Sequence, residues 1–72
     1  MTTQHHQSAL HALQRCGTHI RFAHAEAAEL VAPLLGGSRA QRATELAEKL
    51  AECLSWAERL SVVVTGDLRA DA

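Results

Sequence analysis

Near the middle of the chain, Pro33-Leu34-Leu35-Gly36-Gly37-Ser38 separates two long stretches that contain no other proline and only two further glycines, Gly17 and Gly66. Proline lacks a backbone N–H and disfavours helix at the residue before it. Paired glycines supply the positive-φ conformations that a sharp reversal needs. Ser38-Arg39-Ala40-Gln41 follows as a capping box, with Ser38 as N-cap and Gln41 three residues on. At the far end, Thr65-Gly66-Asp67 places a glycine where a helix C′ residue belongs. The second helix is therefore expected over about residues 39–65, roughly 40 Å at 1.5 Å per residue. The first is expected over about 8–32, with Ser8 or Thr3 as N-cap. Residues 1–7 and 69–72 are expected to fray. The β-branched run Val62-Val63-Val64 falls in the last turns of the second helix, so no strand is expected. The fold class that follows is all-α, a single antiparallel two-helix hairpin spanning residues 1–72, coiled-coil-like, with its turn at 33–38.

Heptad spacing supports the pairing. Leu10, Leu13, Gly17, Ile20, His24, Ala27, Val31 and Leu34 recur at alternating steps of three and four, as do Ala43, Leu46, Leu50, Cys53, Ala57, Leu60 and Val64. A reversal at Gly36-Gly37 makes facing residue numbers sum to about 73, so Ile20 should meet Cys53, Leu13 should meet Leu60, and Ala27 should meet Leu46. Gly17 and Ala27 permit close approach of the axes, although glycine costs a helix about 1 kcal/mol relative to alanine.

The seam leaves apolar residues over. At 100° per residue the second helix is apolar across roughly 140°, wider than the ~100° stripe of an ordinary surface helix. Ala47 and Leu54 flank one edge of that arc, Trp56 and Val63 the other. The register sets Ala12, Cys16 and His19 around Trp56. A continuous strip results, Cys16, Ala23, Leu30, Trp56, Leu60 and Val63, and these are the candidate partner-binding residues. Phe22 falls on the polar side of the first helix with His11, Arg15 and Glu29. Trp56 could fold back over its own hairpin. The stronger alternative is a protein interface, because an isolated two-helix hairpin is marginal and tryptophan is a preferred anchor.

Other chemistries find little support. His6 to His11 and His19 to His24 are each five apart, which splays the rings around a helix instead of aiming both at one ion. Cys16, His19 and Cys53 offer three ligands without a fourth, so neither metal nor cofactor is expected. A hairpin has no concave site for a nucleophile, base and orienter, so no enzyme activity is expected. Seven Lys and Arg against eight Asp and Glu, with signs alternating through the second half, leave no basic stripe for nucleic acid. No run approaches the roughly 20 apolar residues of a bilayer span. The opening Met1-Thr2-Thr3-Gln4-His5-His6 has no signal-peptide character, so the expected location is cytoplasmic.

The length, the opening Met1-Thr2, the Gly36-Gly37 turn between two helices and the tail Val63-Val64-Thr65-Gly66-Asp67-Leu68-Arg69 together resemble the E-type co-chaperones of type III secretion needle subunits (YscE/PscE-like), mainly over residues 36–69. The first helix departs from that pattern in being rich in histidine and alanine. The resemblance implies a non-enzymatic adaptor that forms a heterodimer with a helical-repeat chaperone and keeps the needle subunit soluble before export. Two other roles fit the same residues. One is an adaptor that self-associates into a four-helix bundle, and the other is a small inhibitor that docks on a host protein.

Overall fold

The structure is a computed structural model, which describes the backbone of residues 2–71 and the side chains of residues 4–70. Helix α1 occupies Thr2–Glu26, passes through a single π turn at Ala27–Val31 and continues as the short α2, Ala32–Leu35. Gly36 alone stands between this arm and α3, Gly37–Asp71. No strand occurs among the described residues. The molecule measures 53 × 14 × 12 Å. The 35 residues of α3 account for about 52 Å of that length at 1.5 Å each. The first arm therefore lies alongside α3, and the fold is a two-helix hairpin.

The reversal is tighter than the turn expected over 33–38. Gly36 adopts φ 69°, ψ 169°, a region that essentially only glycine occupies, and Gly37 has φ 58°. The Gly36 N–H donates to the Ala32 carbonyl at 3.2 Å, and the Gly36 carbonyl accepts the Ala40 N–H at 3.0 Å. One residue thus closes α2 and opens α3. That opening bond runs backbone to backbone, in place of the expected Ser38 cap.

The first arm exceeds residues 8–32 at both ends. Ser8 is an interior residue of α1, and the side chain of Thr3 lies outside the described residues. Pro33 does not stop the helix. In the π turn the Ala32 N–H reaches back five residues to the Ala27 carbonyl, and this widened turn relieves the clash a proline ring otherwise makes with the preceding turn. Pro33 then sits at the start of α2, where its missing N–H is not needed.

The π turn also adds one residue to the helical phase. Up to that point the expected seam holds: Gly17 and Ala27 are buried, while Leu10, Leu13, Ile20 and His24 are half-buried. Beyond it, the seam residue is the half-buried Ala32, whereas Val31 and Leu34 are 38% and 82% exposed.

Helix α3 is rotated relative to the expected seam. Ala43, Leu50, Ala57 and Val64 are buried or half-buried as expected. Between them, Ala47, Leu54 and Ser61 take the inward places assigned to Leu46, Cys53 and Leu60, which are exposed, and Leu68 continues the row. Gly17 lacks a side chain opposite Leu54, so that leucine can turn inward there. A Cβ on Gly17 would stand 3.7 Å from Leu54 Cδ1, an ordinary contact. The hydroxyls of Ser61 and Thr65 donate to the Ala57 and Ser61 carbonyls at 2.9 and 2.8 Å, so both sit part-buried at no hydrogen-bonding cost.

Gly66 is not a C′ residue. Its φ is not positive, and α3 continues through it to Asp71. Both arms run past their expected ends together, with His6 and Leu10 half-buried on one, Val64 buried and Leu68 half-buried on the other. Packing sets this end, not the glycine. Residues 4–7 and 69–70 are accordingly helical, while Met1 and Ala72 of the segments expected to fray lie outside the described residues.

Candidate functional site

The rotation of α3 determines what faces outward. Among the described residues, the buried hydrophobic side chains are Ala27, Ala43, Ala47 and Val64, and no large side chain is fully buried. The large apolar residues are outside: Trp56 is 68% exposed, Val63 58% and Leu60 50%.

These three form one wall of an open groove of about 490 Å³ running between the arms. Helix α1 contributes Leu13, Cys16 and Ile20, and α3 adds Cys53, Ala57 and Arg59. The groove lining holds no carboxylate and no imidazole, so neither thiol has a base beside it there. Both cysteines are free and exposed. The Arg59 guanidinium lies over the Trp56 ring, 5.2 Å from its centroid, a cation–π geometry that shields one ring face. Trp56 does not fold back over its own hairpin; its ring stands out beside the groove.

Four of the six expected partner-binding residues, Cys16, Trp56, Leu60 and Val63, line this groove together. Ala23 lines the adjoining depression with Ala12, Arg15, His19 and Leu50, and that depression shares Cys16 and Ile20 with the groove. Ala12 and His19 thus belong to the neighbouring hollow, and of the three residues expected around Trp56 only Cys16 shares its groove. Leu30 lines neither; it lies in the π turn, 56% exposed.

Sequence reasoning had assigned Leu13, Ile20 and Cys53 wholly to the seam, whereas all three also line the groove. Arg59 was missed because it is charged. Its signal was the three-residue step from Trp56, which sets two side chains over one another on a helix.

Phe22 is 66% exposed and lies outside the groove. Among the described residues, no group of three or more His, Cys, Asp or Glu could hold a metal ion. No described helix is long and apolar enough to cross a membrane.

Total accessible surface is 5470 Å². A compact monomer of 7.8 kDa exposes about 4,400 Å². The radius of gyration is 16.1 Å, against about 11 Å for a compact domain of this length. No protein-family model, no curated protein and no solved structure gives a significant match to the chain.

Proposed function

We propose that this chain is a non-enzymatic protein-binding adaptor, an antiparallel helical hairpin whose outer strip is covered by another polypeptide. The lining of the groove supports the antiparallel register, since Leu13 and Cys16 share it with Ala57 and Leu60, pairs whose numbers sum to about 73. The observation that carries the function is the inversion of size. The buried residues are Gly17, three alanines and Val64, while Trp56, Leu60 and Val63 stand half or more in solvent around an almost wholly apolar groove. Burying such side chains is worth about 1.5–3 kcal/mol each, and a lone hairpin forgoes that gain.

The specific role is the one the family resemblance implies. In the cytoplasm the hairpin pairs with a helical-repeat chaperone, and together they keep a type III needle subunit soluble before export. Co-expression with such a chaperone and subunit tests this. The subunit stays soluble with the wild-type chain and precipitates with Trp56→Ala. A subunit equally soluble with and without the hairpin would sink the role.

A further inference from the structure

The closed end of the hairpin is apolar on its outside. Leu34 is 82% exposed, Leu30 56%, Leu35 52% and Val31 38%, with Pro33 exposed among them. The π turn puts them there, because its extra residue brings Ala32 to the seam and leaves Val31 and Leu34 outside. All five stand within six residues of Gly36, about 9 Å at 1.5 Å each. None of them lines the groove.

Charge is segregated at the same end. Residues 30–44 hold Arg39 and Arg42 and none of the chain's eight carboxylates. Both arginines are exposed, and neither is paired with a carboxylate among the described residues. The nearest acidic residues, Glu29 and Glu45, stand seven and eight residues back from Gly36 and Gly37, about 10 Å along the arms. We propose that this tip is a peripheral membrane contact, which sets Leu30, Val31, Leu34 and Leu35 into the surface of a bilayer rich in anionic lipid and Arg39 and Arg42 against its headgroup phosphates. The contact is separate from the Trp56 strip and does not depend on what covers that strip.

Shape and depth favour a bilayer. The tip is the blunt end of a rod 14 by 12 Å across. Such a convex end offers no cleft to a partner's side chain, while fluid lipid closes round it. Interfacial elements settle their apolar side chains about 5–10 Å into the boundary between headgroups and acyl chains, and the leucines span that depth. Arginine side chains reach back from there to the phosphates. The first carboxylates then stay above the surface, away from the anionic lipid.

Flotation of the full chain with vesicles tests the proposal, using phosphatidylcholine alone and phosphatidylcholine with about 30% phosphatidylglycerol, in about 0.05 M and about 0.5 M salt. The chain should float with the anionic vesicles at low salt and bind phosphatidylcholine at least about tenfold more weakly. Anionic binding should fall as salt rises. Leu34→Ser should weaken it at least about tenfold, as should Arg39→Gln combined with Arg42→Gln, while circular dichroism shows the helices retained. Trp56→Ala should bind as the wild type does. In a Trp56→Phe background, Leu34→Trp should shift its emission to the blue on anionic vesicles.

A chain that floats with neither vesicle overturns the proposal and leaves the tip to a protein partner. Equal binding to both vesicles overturns the part given to the arginines. Binding that survives Leu34→Ser, or is lost with Trp56→Ala, moves the lipid contact off the tip and overturns the proposal too. So does an unshifted Leu34→Trp emission from chain that floats. If Leu34→Ser unfolds, Leu35→Ser takes its place in the same comparison.

Discussion

The seam and the strip lie on neighbouring faces of the same two helices and follow opposite rules. Along the seam, Ala27, Ala43 and Ala47 are each no more than 5% exposed, and Gly17 is buried with them. Along the strip, side chains several times larger remain half or more in solvent. An ordinary monomer buries its large apolar residues first. Here alanines and Gly17 are buried in the seam, and the larger residues of the strip face outward. The difference teaches that shape selected the seam, while apolar area was left for a further layer to cover.

Substitutions can break this contrast. Ala47→Leu should do the most harm, because a seam closed on alanine has no room for three more carbons. Overpacking of this kind costs up to about 3 kcal/mol, read as a lower denaturation midpoint. Leu34→Ser, at a position expected in the seam but 82% exposed, should shift stability by less than about 0.5 kcal/mol. Equal losses from the two would erase the distinction between seam and surface.

The glycines sharpen it. Gly36→Ala forces a Cβ onto φ 69°, ψ 169° and should cost about 2 kcal/mol, although no atom crowds the site. Gly66→Ala should raise stability by about 1 kcal/mol, because Gly66 is an interior helical residue with open space around it. For a chain of this size that is a melting rise of about 4–8 °C. A fall on Gly66→Ala would restore the role of that glycine as a helix stop.

The smallest effect is expected at the Arg21–Glu58 pair, 3.4 Å apart with side chains 62% and 59% exposed. Glu58→Gln should cost less than about 0.5 kcal/mol, and less still in high salt, where exposed charges are screened. A larger loss would mean that the arms depend on charge as well as on fit.

Much of the fold could be read from local chemistry. Gly36-Gly37 announced the reversal, because the backbone angles found there are ones that side chains resist. The heptad steps through Leu10, Leu13, Gly17, Ile20, His24 and Ala27 named the inner face of α1. Four residues of the groove were also legible, since Trp56 and Val63 lay at the edge of an arc too wide for one partner helix. Terminating signals misled. Pro33 and Gly66 have strong average preferences against continuing a helix, yet a π turn absorbed the one and flanking packing carried α3 past the other.

Composition and spacing, acting within a few residues, determined that the chain is helical, where it reverses and which half of each helix turns inward. The choice within that half belonged to the tertiary structure. Leu46, Cys53 and Leu60 satisfy the same heptad as Ala47, Leu54 and Ser61, and both sets keep Ala43, Leu50, Ala57 and Val64 inside. Periodicity is degenerate between them, because it records which residues share a face and says nothing of how near the other helix comes. Which row turns inward is settled only when both faces meet, and opposite Gly17 the row that holds Leu54 did so. That small rotation buried the alanines and left Trp56, Leu60 and Cys53 along an open groove.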